Sequence, residues 1–260
     1  MKLKIWTKNL KTWGYKLVKA TKNILFPLKL TCNLCGREVF DGCDFCPECE
    51  KQFILNDSHV CNHCGRKTSI SMDRCLSCKG EWEIDRARSL YVYADAGKEI
   101  IRRYKFRSAK YLAEFFAPKL CKLYVENGLY CQAVMGVPMT ADKVFQRGYN
   151  QSEELAKKVA EIIGVPFIKP IEKVRETSSQ VGLKIEERKR NLAKSFKLIN
   201  GDMVKDKVVL ICDDVLTTGS TSGEIAKLLK KAKAKSVILL TVCSTPDEIL
   251  PSSQVIGVNN

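Results

Sequence analysis

Apolar runs and amphipathic stretches alternate along the last two thirds of the chain, from Ser89 onward. Short apolar runs predict buried β-strands at residues 133–139, 207–215 and 236–243. Longer stretches with helical spacing predict helices at residues 99–116, 119–125, 150–163 and 219–233. Strands that alternate with helices form a mostly parallel sheet, because the crossover helices cover its faces. The pattern therefore predicts an α/β fold with flanking helices.

The first 30 residues follow a different pattern. Their apolar residues are three or four positions apart and share one helix face, at Leu3, Trp6, Leu10, Trp13, Leu17, Ala20 and Ile24. Eight lysines and no acid place more than half of the net charge of +15 in this segment. Such a basic helix is suited to an anionic membrane surface or to a nucleic-acid backbone. Docking of the apolar stripe on the protein itself, or partial disorder, is the alternative.

Length and composition restrict the class of protein. A chain of 260 residues exceeds the usual single-domain size, which predicts two domains, one of them small. Its 45% apolar and 28% charged residues are typical of a folded soluble protein. No apolar run reaches the ~20 residues that span a bilayer, and the lysine-rich start does not resemble a secretory signal. These features predict a cytoplasmic protein.

Eight of the 13 cysteines form an internal repeat with a displacement of 29 residues. Both units have the spacing C-x2-C-x10-C-x2-C, and the cysteines are Cys32, Cys35, Cys46 and Cys49, then Cys61, Cys64, Cys75 and Cys78. Two thiolate pairs on tight turns close a tetrahedral Zn²⁺ site, and four cysteines leave no open position for catalysis. Units this short depend on the metal to fold. The repeat therefore predicts a double zinc ribbon with two structural zinc ions.

Alternatives to this zinc arrangement remain open at the level of sequence. Thiol redox chemistry also uses CxxC pairs, although four such pairs in a repeat favour metal binding. Crossed pairing, with one zinc ion shared between the units, is compatible with the spacing. His59 and His63 lie beside the second unit and could replace a cysteine, whereas Cys43 lies out of register and is left without a metal.

Residues 208–221, VVLICDDVLTTGST, join an apolar strand to two acids and a loop of small hydroxylated residues. The loop consists of Thr217, Thr218, Gly219, Ser220 and Thr221. Its backbone N–H groups, its hydroxyls and the following helix N-terminus favour a phosphate dianion. Asp213 and Asp214, which have no basic residue close by in the sequence, are placed to accept hydrogen bonds from ribose hydroxyls and to surround Mg²⁺. An N-capping turn, the alternative, explains the threonines but not the acids.

The segment DDVLTTGST resembles the phosphoribosyl pyrophosphate (PRPP) signature of type I phosphoribosyltransferases. The resemblance implies a loop that holds the 5-phosphate, acids that hold ribose hydroxyls, and PRPP bound with Mg²⁺. It also implies a pyrophosphate loop, often of unusual peptide geometry, at Val137, Pro138 and Met139. The 6-oxopurine enzymes of that family have a catalytic aspartate at the position of Thr217, so a purine acceptor is disfavoured here. The catalytic residues stay unassigned.

Two longer segments, VPMTADKVFQRGYNQSEELA and SSQVGLKIEERKRNLAKSF, resemble the ComF family of competence-associated proteins. Cysteine pairs and the LFP motif at residues 25–27 extend this resemblance from residue 24 to about residue 245. It assigns Arg147, Asn150 and Gln151 to the segment after the pyrophosphate loop. It assigns a flexible hood to Gln180, Gly182, Leu183, Arg188 and Asn191. Arg147 and Arg188 suit pyrophosphate, because guanidinium groups bind paired oxygens.

Together these features predict four segments: a basic amphipathic start (1–30), a double zinc ribbon (31–84), a phosphoribosyltransferase-like domain (85–245) and a tail (246–260). The ComF resemblance implies that PRPP or a nucleotide end binds, and that the protein handles single-stranded DNA with the competence uptake machinery. An active phosphoribosyltransferase with a small amine or base acceptor, or a PRPP-sensing regulator, is the alternative.

Aromatic and basic residues interleave between residues 91 and 111. The aromatic residues are Tyr91, Tyr93, Tyr104, Phe106 and Tyr111, and the basic ones are Arg102, Arg103, Lys105, Arg107 and Lys110. Single-stranded nucleic acid is bound by such combinations of charge and stacking. The alternative is that most of these aromatic side chains belong to the core.

Overall fold

A four-stranded parallel sheet lies at the centre of the larger of two compact units, Met1–Gln52 and Phe53–Asn260. The computed structural model describes residues 31–39, 43–79, 82–106, 109–176, 192 and 194–247. The predicted N-terminal helix, the LFP motif, the hood residues Gln180, Gly182, Leu183, Arg188 and Asn191, and most of the tail lie outside these residues.

The strands of the larger unit are β1 (Arg86–Val92), β2 (Ala133–Gly136), β3 (Ile171–Lys173), β4 (Phe196–Leu198), β5 (Val208–Leu216) and β6 (Ser236–Ser244). The sheet order is β1-β6-β5-β2, and all three pairings are parallel. β3 and β4 pair separately as an antiparallel hairpin. The central strands β5 and β6 are apolar and largely buried, as expected for a parallel sheet covered on both faces. The predicted α/β class is confirmed.

The helices are α1 (Pro47–Glu50) in the smaller unit, and α2 (Asp95–Phe106), α3 (Leu112–Glu126), α4 (Ala141–Arg147), α5 (Gln151–Ile163) and α6 (Ser220–Lys231) in the larger one. None of these described helices is long and apolar enough to cross a membrane. α5, α6 and the strands β5 and β6 agree with the predicted elements to within one or two residues at most ends.

The predicted helices at residues 99–116 and 119–125 have wrong boundaries. The first helix, α2, ends at Phe106. The second helix, α3, begins at Leu112 and continues through Pro118. Leu112, Phe116 and Leu120 form one buried face on both sides of the proline, so packing outweighs the hydrogen bond that proline removes. α4 was not predicted, because none of its residues is buried and it has no apolar stripe.

Helix α5 begins at the carboxyl end of β2, where Asn150 caps it and Gly136 leaves room for its first turn. The side chain of Asn150 caps it by accepting hydrogen bonds from the N–H groups of Ser152 and Glu153. Gly136, the last residue of β2, allows the close approach, because a Cβ there would lie 2.6 Å from the Glu153 nitrogen. The first turn of α5 is therefore held against the end of the sheet.

The second cysteine unit shares a core with the sheet. The N–H of Ala87 in β1 donates to the carbonyl of His63 at 2.8 Å. Gly65 has a φ of +68°, and a Cβ there would lie 2.6 Å from the Ala87 oxygen. Trp82 packs against both the four cysteines and the apolar residues beside the sheet. This ribbon is thus joined to the α/β fold.

Candidate functional site

The acid Asp214, near the end of β5, is only 3% exposed and has two polar partners. Lys105 of α2 forms an ion pair with it, with an Nζ–Oδ2 distance of 3.1 Å. Gln151 at the start of α5 donates to the same carboxylate at 3.0 Å. The acid therefore has a basic partner that the sequence did not reveal, because a different element supplies it.

The neighbouring acid Asp213 has a different environment. Its Oδ1 accepts hydrogen bonds from the Ser152 hydroxyl at 2.6 Å and from the backbone N–H of Asp214 at 2.9 Å. Burial, together with the charge of Asp214, raises the pKa of Asp213 to about 7. Asp213 thus changes its charge near neutral pH.

The loop after β5 presents polar groups to solvent. Thr217, Thr218 and Ser220 are exposed, and Thr221 is half-buried. The hydroxyls of Thr218 and Ser220 are 2.9 Å apart, and the Ser220 N–H donates to the Thr218 hydroxyl at 3.3 Å. A small cavity of about 60 Å³ is lined by this loop together with Asp213. The hydroxyls, the start of α6 and one acid therefore converge on this cavity.

The predicted pyrophosphate loop, Val137, Pro138 and Met139, follows β2 beside the acids. The Val137 N–H donates to the Cys212 carbonyl at 3.2 Å, and the Asn150 side chain donates to the Val137 carbonyl at 3.0 Å. All peptide bonds of the described residues are trans. The structure therefore brings this loop to the same end of the sheet as residues 213–221.

Arg147 reaches the acids through one intermediate side chain. Its guanidinium donates to Gln151 Oε1 at 2.6 Å, and Gln151 in turn donates to Asp214. The guanidinium also lies 5.0 Å from the centre of the Phe106 ring. Arg147 is therefore linked to Asp214 through Gln151, whereas the other two predicted polar residues of this set, Gln180 and Arg188, lie outside the described residues.

The two cysteine sets each gather within one unit. In both sets the four sulfur atoms lie within 4.8 Å of one another. Neighbouring sulfurs are 3.8 Å apart between Cys35 and Cys46, and 3.4 Å apart between Cys64 and Cys75. Four thiolates bound tetrahedrally at the Zn–S length are separated by about 3.8 Å, so both sets fit zinc. Each group of four sulfur atoms therefore lies within one unit of the repeat.

Neither histidine belongs to a cysteine set. His63 Nε2 lies 2.9 Å from the Ile84 carbonyl, and burial lowers the pKa of this imidazole. Cys43 is exposed and lies outside both sets. Among the described residues, the candidate zinc ligands are therefore these eight cysteines.

Sequence reasoning missed two contributors to the acidic site. Ser152 was not singled out, and Lys105 was assigned only to a basic stretch. Nothing in the local sequence connects them with the acids, since Ser152 and Asp213 are 61 residues apart. The sheet order and the packing of α2 and α5 bring them together.

A family model described as "Phosphoribosyl transferase domain" matches residues 149–258. With the parallel sheet and the loop after β5, this match defines the class: the α/β fold is of the phosphoribosyltransferase type. The chain is 31% identical over 146 residues to competence protein F of Haemophilus influenzae, which covers 53% of this chain and 63% of that protein. It is 32% identical over 150 residues to competence protein ComFC of Streptococcus pneumoniae, with 58% and 64% covered. These similarities support the resemblance to the ComF family that the sequence motifs indicated.

The chain spans less than two thirds of the length of either curated relative. A solved glutamine PRPP amidotransferase from B. subtilis, complexed with ADP and GMP, is similar over 54% of this chain and 30% of that one. Its sequence identity is 20% and the TM-score is 0.40.

Proposed function

We propose that the protein binds PRPP, or the ribose 5-phosphate group of a nucleotide end, at the carboxyl end of β5. The observation that carries this proposal is the placement of Asp213 and Asp214 directly before a loop of exposed hydroxyls. A phosphate group and a ribose diol need these two kinds of partner, donors for the one and carboxylates for the other.

Each part of the site has a role in this proposal. The loop N–H groups and the α6 N-terminus bind the 5-phosphate, and the carboxylates accept hydrogen bonds from the ribose hydroxyls. Arg147 exchanges its contact with Gln151 for the pyrophosphate oxygens, which a guanidinium binds in pairs. Mg²⁺, when bound with PRPP, supplies positive charge to the pyrophosphate, and Asp213 and Asp214 offer the oxygen ligands that it prefers.

Binding, rather than transfer to a 6-oxopurine, is the function that these residues favour. Thr217 carries a hydroxyl, which cannot act as the carboxylate base of the purine enzymes. Calorimetry with PRPP and Mg²⁺ tests binding directly. Pyrophosphate release, measured across a panel of amine and base acceptors, tests transfer. Release with one acceptor would make the protein an active phosphoribosyltransferase. No release with any acceptor would favour a binding or sensing role.

The affinity for PRPP is expected to rise between about pH 6 and about pH 8, because the ionised carboxylate of Asp213 accepts hydrogen bonds from the ribose hydroxyls. The raised pKa of about 7 means that this carboxyl is largely protonated at the lower pH and must lose its proton on binding. One pH unit below the pKa weakens binding about tenfold. Calorimetry in two buffers of different ionisation enthalpy measures the released proton.

Asp213→Asn provides the control for this pH dependence. The variant binds weakly, but its remaining affinity should lack the proton release assigned to position 213. If the wild-type protein and Asp213→Asn release the same number of protons, the pH effect belongs to the ligand or to another group.

A basic and aromatic surface beside the acids supports the second part of the proposal, the handling of single-stranded DNA. We define it as Lys105, Phe106, Lys143, Gln146 and Arg147, which line a cavity of about 360 Å³. Phe106 is 71% exposed, whereas Tyr91 and Tyr104 are buried in the core. An exposed ring beside cationic side chains is suited to base stacking and phosphate contact.

Phe106→Ala is expected to weaken single-stranded DNA binding by about fivefold to a hundredfold, because one stacked base is lost. A fluorescence titration at two salt concentrations measures the effect, and the wild-type affinity should fall with salt. Tyr130→Ala is the matched control, since Tyr130 is 63% exposed but precedes β2 at the opposite end of the parallel strands. Equal losses in both variants, or no wild-type binding at low salt, would contradict this surface.

The names of the two relatives associate those proteins with competence. We propose the same process for this chain: a cytoplasmic protein that meets entering DNA, with the basic residues 1–30 as a contact for the uptake machinery or the membrane. Transformation frequency after deletion of the coding sequence tests this role, and an unchanged frequency would oppose it.

A further inference from the structure

Two side chains of the second cysteine unit donate hydrogen bonds to backbone carbonyls at the end of β5 and in the following loop, residues 217–221, which we call the phosphate loop. The guanidinium of Arg66 donates to the carbonyls of Leu216 and Thr217, the first at 3.5 Å, and to the carbonyl of Thr245 at 3.0 Å. The indole N–H of Trp82 donates to the Gly219 carbonyl at 3.1 Å. Arg66 is only 3% exposed, so these contacts are sheltered from water. We call Arg66 and Trp82 the loop clamp.

The clamp contributes to the direction of the N–H groups that follow the Thr217 and Gly219 carbonyls. In a planar trans peptide the C=O of one residue and the N–H of the next point in opposite directions. Because Arg66 holds the Thr217 carbonyl, the Thr218 N–H faces away from the cysteine unit. The Gly219 carbonyl accepts from Trp82 and also, within α6, from the Gly223 N–H at 2.8 Å and the Ser222 hydroxyl at 3.1 Å, so the Ser220 N–H points the opposite way. These two N–H groups belong to the loop that receives the phosphate.

Glycines make room for the clamp. Gly219 has a φ of +79°, and a Cβ there would lie 3.1 Å from the Trp82 Nε1 atom. A Cβ at Gly223, one turn along α6, would lie 3.0 Å from Trp82 Cδ1. The absence of a side chain at Gly219 and Gly223 therefore accommodates the indole ring.

The cysteine set holds the clamp in place. Arg66 follows Cys64 by two residues, and Trp82 packs against the four cysteines of the second set. The Trp82 ring also meets His63 edge-on, with ring centres 5.4 Å apart. A metal bound by these cysteines therefore holds in place the backbone next to Arg66 and the side chains against which Trp82 packs.

We propose that Arg66 and Trp82 are positioning residues of the phosphate site, and that the second zinc ribbon orients the loop for its anionic ligand. The inference rests on the proposed binding of a phosphoribosyl group. The first unit offers a built-in comparison, because Arg37 occupies the same place in the repeat. Arg37 is exposed, and it pairs with Glu48 at 3.6 Å within its own unit.

Calorimetry with Mg²⁺ and PRPP on the full chain tests the clamp. We expect Arg66→Ala to weaken binding about tenfold to a hundredfold, since hydrogen bonds from a charged donor are lost. Arg66→Lys keeps the positive charge but not the paired N–H donors of the guanidinium, and its PRPP affinity should lie between those of the wild type and Arg66→Ala. Trp82→Phe removes one neutral donor and should cost about fivefold. Arg37→Ala should bind like the wild type.

Zinc content and backbone NMR separate positioning from unfolding and from a failure of the proposed function. All four variants should keep two zinc ions per chain. In ligand-free Arg66→Ala, the order parameters of Thr218 and Gly219 should fall from about 0.85 to below about 0.6, but not in Arg37→Ala.

If PRPP does not bind even the wild type, the proposed function fails and these order parameters alone decide whether Arg66 and Trp82 position the loop. If Arg66→Ala loses zinc, Arg66→Lys and Trp82→Phe decide it. Rigid loops and wild-type affinity in the Arg66 and Trp82 variants would overturn the inference.

Discussion

Mg²⁺-dependent PRPP binding is expected to disappear in the double variant Asp213→Asn, Asp214→Asn. Asparagine keeps the size of each side chain but removes the charged acceptors for the ribose hydroxyls and the oxygens offered to Mg²⁺. Each charged hydrogen bond contributes about 1.5–3 kcal/mol, so losing both acids weakens binding by about 150-fold or more. Calorimetry on the full chain measures the change.

Asp202→Asn is the matched control for this charge removal. Asp202 is exposed and precedes β5, so it lies near the amino end of the strand whose carboxyl end carries the site. It should leave PRPP affinity unchanged. Wild-type affinity in the double variant would refute the assignment of the acids, and a loss in Asp202→Asn would point to a general effect of charge.

Cys75→Ser is expected to hold one zinc ion where the wild type holds two, and to lose much of its thermal stability. All four cysteines of the second set are buried, and Trp82 packs against both this set and the sheet core. Structural zinc contributes about 10–16 kcal/mol to the folding of small units, which is as large as the stability of a typical domain. Metal analysis and a circular-dichroism melting curve measure the two effects.

Two further cysteine variants sharpen this zinc experiment. Cys46→Ser should also leave one zinc ion, now because the first set is incomplete. Cys43→Ser should keep both, because Cys43 is exposed and outside the two sets. Protein purified under reducing conditions without any zinc would favour thiol redox chemistry, and zinc loss in Cys43→Ser would refute the ligand assignment.

The phosphate loop and the zinc ligands could be predicted because each depends on local geometry. Residues 213–221 are contiguous, so a strand followed by a turn and a helix is enough to bring the acids and hydroxyls together. The CxxC spacing likewise places two thiols on one turn. The within-unit gathering of the cysteines required only that each pair meet the next pair along the chain.

Elements without a clear periodic signal were the ones that sequence reasoning missed. β1 begins with Arg86 and Arg88, which interrupt an apolar run, yet it pairs with β6 along its length. α4 buries no residue, and α3 contains a proline that local rules interpret as a boundary. In each case the contacts with other elements decide the structure, and a local pattern does not report them.

The sequence by itself determined the chemistry of this protein: the α/β class, the acids before a hydroxyl-rich loop, and two sets of four thiols. Only the tertiary structure decided which other side chains contact these acids and this loop. Lys105 and Gln151 reach Asp214, and Arg66 reaches the Thr217 carbonyl across 151 residues of chain. Periodicity reports which side chains are buried, because burial is a local average along an element. Hydrogen bonds between distant residues depend on strand order and helix packing, which arise from many weak contacts acting together.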